Sequence, residues 1–115
     1  MTIIDIVQII DGEMYAGIEK INKKINTAYA TDIMDEDVLK YCKDDTILIT
    51  GLNTGDPILT AEKLGISSII LVRKKEPSEE MKQKARDLGI VIIKSKYTMF
   101  KTCGLLFQNG INALF

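Results

Sequence analysis

Three short apolar runs, Thr46 to Thr50, Ser68 to Val72 and Ile90 to Ile93, begin 22 residues apart and leave the chain few folds to choose from. Each is rich in branched aliphatic residues and lacks a polar alternation, the pattern of a strand covered on both faces. Helical patterns separate them, Pro57 to Leu64 closed by Gly65 and Ser78 to Leu88 closed by Gly89. Pro57 and Pro77 fall at helix starts, where a missing N–H leaves no bond unmade, and the glycines fall at helix ends, where the backbone turns left-handed. Strand, helix and strand at this spacing make consecutive right-handed βαβ units. The expected fold class is α/β, a small mixed sheet with a parallel βαβαβ core flanked by helices.

The flanking segments carry weaker signals. Thr2 can cap a short helix that runs through Asp5 to Ile10, with Ile3, Ile6, Val7 and Ile10 at helical spacing, and Asp11-Gly12 ends it. Glu13 to Gly17 reads as an edge strand, Lys20 to Lys24 as an exposed connection, and Asn26 to Asp32 as a further strand. Asp32 or Asp35 can cap a second helix whose Val38, Leu39 and Cys42 form a narrow apolar stripe. A last helix is predicted from Tyr97 to about Gln108, followed by the apolar tail Ile111 to Phe115. In that helix Met99, Cys103, Leu106 and Phe107 share one face while Phe100 and Leu105 lie off it, more apolar surface than one small sheet can cover.

One domain over residues 1–115 is expected, since this length matches a single hydrophobic core. Fifteen basic against sixteen acidic side chains give a net charge of -1, which supplies no field to attract a nucleic acid. No segment has the length and apolarity of a membrane span, and Asp5 interrupts the apolar start where a secretory signal would need continuity. A cytoplasmic chain is expected. Cys42 and Cys103 read as small hydrophobes in a reducing compartment, and without histidine a Cys/His zinc site is excluded.

The absence of histidine also removes Ser-His and Cys-His nucleophiles. Asp32, Asp35, Glu36 and Asp37, like Glu79 and Glu80, sit where a helix start favours negative charge. No metal, cofactor or catalytic group is expected, and the chain does not read as an enzyme. One crevice remains. The loop Thr50-Gly51-Leu52-Asn53-Thr54-Gly55 follows a buried strand and opens a helix, although it lacks the Lys-Ser/Thr of a P-loop. Ligands of parallel sheets gather at this edge, outside the carboxyl ends of the strands. The next two strands end there in Arg73-Lys74-Lys75 and Lys94-Ser95-Lys96. Thr50, Gly51, Asn53, Thr54, Arg73, Lys74, Lys94 and Lys96 therefore either form a site for a small anionic metabolite or keep a sheet end solvated.

With these residues placed, the chain resembles the DRTGG domain family over essentially its whole length. The resemblance lies in Asp11-Gly12-Glu13-Met14-Tyr15-Ala16-Gly17, Ala28-Tyr29-Ala30-Thr31-Asp32, Ile47-Leu48-Ile49-Thr50-Gly51 and Ala61-Glu62-Lys63-Leu64-Gly65-Ile66. The stretch from Glu76-Pro77-Ser78-Glu79-Glu80 to Lys96-Tyr97-Thr98-Met99-Phe100 is also similar to the amino-terminal domain of HPr kinase/phosphorylase. Leu52-Asn53-Thr54 stands where the family usually has Gly-Asp-Arg, and Arg73-Lys74-Lys75 where it has Thr-Gly-Gly. The resemblance implies a fold like the MurF and HPr-kinase amino-terminal domains and a regulatory or assembly module, of the kind that accompanies CBS pairs or stands alone. It brings no activity. An adenine nucleotide is the anionic ligand that the CBS association suggests.

The apolar excess of the last helix and tail predicts a homodimer through Met99, Phe100, Leu105, Phe107 and Phe115, because large apolar patches are seldom left in water. Gly104 would let two such helices approach closely. The alternative is that these side chains pack inside the monomer. A protein partner of another kind remains open.

Overall fold

The structure, a computed structural model, describes residues 1–115. In chain order its elements are α1 (Ile3–Ile9), β1 (Glu13–Ala16), a 3₁₀ turn (Ile18–Lys20), β2 (Thr27–Ala30), α2 (Glu36–Leu39), β3 (Thr46–Thr50), α3 (Asp56–Leu64), β4 (Ser68–Leu71), α4 (Glu79–Leu88), β5 (Val91–Lys94), α5 (Met99–Gln108) and β6 (Asn112–Ala113). The three apolar runs are β3, β4 and β5, the last displaced by one residue from its expected bounds. Helix ends follow their residue chemistry. The Thr2 hydroxyl accepts the Asp5 N–H while the Asp5 carboxylate accepts the Thr2 N–H, a reciprocal cap that starts α1 at Ile3. Ser78 and Thr98 accept the N–H groups of Met81 and Lys101, and Gly65 and Gly89 close α3 and α4 in the left-handed conformation.

The six strands form one sheet in the order β1-β5-β4-β3-β2-β6. All neighbours from β5 to β6 are parallel, and β1 alone runs antiparallel, with Glu13 opposite Lys94 and a bulge between Met14 and Ala16. The chain steps from β2 to β5 with α2, α3 and α4 on one face. It then crosses back over the other face through α5 to place β6 beyond β2. Reversing the direction and the face together keeps every crossover right-handed.

Alternation along the strands feeds two cores. Ile47, Ile49, Ile70, Val72, Val91 and Ile93 point to the face covered by Ile3 and Ile6 of α1, Ile10 just past its end, and Leu106 of α5. Leu48, Ile69, Leu71 and Ile92 point to the face covered by Leu39, Ile58, Ala61, Met81 and Ala85. With helices on both sides neither face can be polar, which is why the strands read as unbroken apolar runs.

Three segments differ from expectation. The Lys20 to Lys24 connection is not merely exposed chain: Ile21 and Lys23 accept N–H groups of α1, and Ile25 is fully buried. The tail is not only apolar surface, since Asn112 and Ala113 pair in parallel with Thr27 and Ala28. In α5 the buried side is Thr102 and Leu106, with Met99 and Cys103 half-buried beside it, and Phe107 is turned outward from the face it was expected to share.

Candidate functional site

Parallel pairing sets the ends of β2, β3, β4 and β5 at one edge of the sheet, and antiparallel β1 begins at the same edge. The eight candidate anion-binding residues lie at that edge, Thr50 and Lys94 as the last residues of β3 and β5 and the other six in the loops, together with carboxylates from neighbouring segments. Asp32, just past β2, accepts the Gly51 N–H at 2.7 Å and the Thr50 hydroxyl at 3.2 Å, and it pairs with the Arg73 guanidinium. The Arg73 stem lies so close over Gly51 that a Cβ there would stand 2.5 Å from Arg73 Cδ. Glu80 reaches from α4 to accept the Gly55 N–H at 2.8 Å, the amide at the start of α3. Glu76 pairs with Lys94 and accepts the Tyr15 hydroxyl at 2.5 Å, while the Asn53 side-chain amide donates to its carbonyl at 3.0 Å. Lys96 pairs with Asp11 at 3.1 Å.

Thr50, Gly51 and Arg73 thus meet at Asp32, Asn53 and Lys94 meet at Glu76, and Lys96 is held apart on Asp11. Thr54 only caps its own turn, accepting the Asp56 N–H at 3.4 Å. Lys74 has no carboxylate partner. Arg73 and Lys74 carry positive φ, 70° and 54°, a conformation that costs roughly 1–2 kcal/mol for each residue with a side chain.

Electrostatics agree with this geometry. Partial burial works to raise the Asp32 carboxyl, but the Gly51 N–H, the Thr50 hydroxyl and Arg73 outweigh it and hold the group below the usual carboxylate range. The bond from Lys94 and then that from Tyr15 lower Glu76, and the bond to Glu76 raises the Tyr15 phenol. Asp11 raises Lys96. Reading the chain residue by residue missed Asp32, Glu76, Glu80 and Asp11 as members of this cluster. Of the two possible caps for α2, Asp35 serves, accepting the Asp37 N–H, which leaves Asp32 free for Gly51.

A second candidate surface lies on the α5 face at the β2–β6 end of the sheet. Phe100 and Phe107 are 89% and 70% exposed. Beside them runs an apolar groove of about 370 Å³, floored by Ala28, Ala30, Ile49 and Ala113 and walled by Cys103, Gly104, Leu106 and Ile111. Met99 packs against the core and Leu105 is half-buried. Phe115 belongs to the opposite face, where its ring stands edge-on to Tyr29 and Tyr41 at 6.1 and 5.5 Å. The five expected interface residues therefore divide, with Phe100 and Phe107 alone standing out on the groove side.

No group of three or more Cys, Asp and Glu side chains is gathered in a way that could hold a metal ion, and no helix is long and apolar enough to cross a membrane. Fold and surfaces define a three-layer α/β domain with a strand-end crevice whose Arg73, Lys94 and Lys96 are paired within the chain, and one open apolar groove. The chain belongs to the DRTGG domain family, whose model matches residues 5–108. Among solved structures it is similar to the CBS and DRTGG domains of the regulatory region of a Clostridium perfringens pyrophosphatase, crystallised with its activator diadenosine tetraphosphate. The TM-score is 0.72 at 18% identity, covering 96% of this chain and 47% of that one, so the chain spans about half the length of its neighbour. No curated protein matches.

Proposed function

We propose that this chain is a non-catalytic regulatory or assembly module that acts as a homodimer through its α5 face. The observation that carries this reading is the pair of phenylalanines standing in water beside an apolar groove. At ~200 Å² for a phenylalanine, the two exposed rings present roughly 300 Å² per chain, a large part of the ~800 Å² each partner gives to a stable interface. Knob and hollow share one face, so a second copy supplies both what fills the hollow and what covers the knobs. Membership of the DRTGG family and likeness to a regulatory region support a module that works through association. Sedimentation at micromolar protein tests it: the wild type should run as a dimer and Phe107→Glu as a folded monomer. A monomeric wild type removes the reading.

A second reading, a sensor for an anionic metabolite such as an adenine nucleotide, is favoured by the nucleotide activator bound in the neighbour's crystal. In this chain the ligand would enter at Thr50, Gly51, Asn53 and Thr54 with Arg73, Lys74, Lys94 and Lys96, displacing Asp32 and Glu76. NMR shifts confined to these loops on titration with adenine nucleotides would support it, and no response at millimolar ligand would end it.

A further inference from the structure

Along the outer side of α5 the exposed residues Phe100, Gly104 and Phe107 follow one another at steps of four and three. These are the steps of a helix seam that packs against another helix. The rings stand about 10 Å apart along the axis, two helical turns. Between them Gly104 leaves a gap, for a Cβ built there meets nothing within 4 Å. The stripe is nearly symmetric about its own midpoint, which falls between Cys103 and Gly104 with one ring on either side. A stripe with that symmetry fits a second copy of itself turned end for end.

We infer that the dimer is an antiparallel pair of α5 helices crossing at Gly104, in which each Phe100 meets the partner's Phe107. This pairing rests on the homodimer reading above and specifies it. The two small residues at the midpoint let the helices approach, and the rings on either side close over the groove floored by Ala28, Ala30 and Ala113. Charge selects the direction. Lys101 lies exposed near the start of α5, and the last turn of the helix carries no basic residue to offset the negative end of its dipole. Antiparallel pairing brings Lys101 toward the partner's carbonyl end, where a cation is favoured. Parallel pairing would set it beside the partner's Lys101 and align the helix dipoles.

The crossing brings the two half-buried Cys103 residues to either side of the two-fold axis, and Cys42 is buried just past the end of α2, so Cys103 reports on the pairing. Wild-type protein treated with diamide should yield a covalent dimer on a non-reducing gel. Cys103→Ser should abolish that band, Cys42→Ser should keep it, and Phe107→Glu should remove it. A protein that sediments as a dimer yet gives no Cys103 cross-link overturns the antiparallel crossing while leaving the homodimer in place. A wild type that sediments as a monomer removes both. Gly104→Leu supplies an independent check, since it fills the gap on an open helix face. At least tenfold weaker dimerisation with an undiminished melting temperature is expected, and unchanged dimerisation overturns the crossing at Gly104.

Discussion

Replacing Asp32 by alanine should destabilise the domain far more than the loss of a surface carboxylate. The side chain is 24% exposed and serves three donors: the N–H of buried Gly51, the hydroxyl of fully buried Thr50, and Arg73. Leaving a buried N–H without an acceptor costs about 1–3 kcal/mol. The Arg73 pair adds at most about 1 kcal/mol, because that side chain is 52% exposed and screened by water. Asp32→Ala should therefore cost about 2–4 kcal/mol, a fall in melting temperature of roughly 6–20 °C for a domain of this size. Asp32→Asn keeps an oxygen for Gly51 and should lose about half as much. The pH dependence separates charge from hydrogen bonding. The folded-state pKa is depressed, so the charged form's contribution is present above the unfolded carboxylate value near ~4 and is lost as pH falls through the folded value. Urea melts at pH 7 and pH 3 should thus differ less for Asp32→Asn than for the wild type. An Asp32→Ala loss below about 0.5 kcal/mol at pH 7 would refute this account of the edge.

Three other substitutions test the fold at single residues. The Ser68 hydroxyl is buried in β4 without a hydrogen-bond partner, so Ser68→Ala should raise stability by about 1 kcal/mol in thermal melts. Gly17 has a φ of 84°, and a Cβ there would stand 2.6 Å from Val91 Cγ2 and 2.9 Å from its Cα; Gly17→Ala should cost about 2–4 kcal/mol by urea denaturation. Lys74 holds a φ of 54° without an ion-pair partner, so Lys74→Gly should gain up to about 1 kcal/mol, and a loss would mean its side chain supports the loop.

Strands β3 to β5 and their helices were legible because two covered faces leave unbroken runs of Ile, Leu and Val, and because proline and glycine mark the helix ends. Strand β6 was not, since Asn112 and Ala113 carry no periodicity and pair only because α5 returns the chain past β2. The same return explains Phe115, which passes the sheet edge and turns to the face opposite α5. The edge that gathers Thr50, Arg73 and Lys94 followed from the parallel core. Their partners did not, because Asp32 and Arg73 are 41 residues apart and no local pattern joins them. A residue after a strand and before a helix reads first as a cap, and only the fold shows that Asp35 takes that role.

The two candidate surfaces differ in what the chain already does with them. At the strand-end edge the Gly51 and Gly55 N–H groups, Arg73, Lys94 and Lys96 each have a carboxylate from the same chain. An incoming phosphate must displace a tethered competitor whose effective concentration is on the order of millimolar or higher. A net charge of -1 supplies no field to help it. The gain from binding there is only the difference between two anions on the same donors. On the α5 face no internal group covers Phe100 or Phe107, and the floor beside them is apolar. Covering those rings removes water at ~25 cal/mol per Å² and breaks no existing hydrogen bond. The polar crevice is close to satisfied as it stands, whereas the apolar face retains nearly its whole transfer free energy, and for that reason association ranks ahead of ligand sensing.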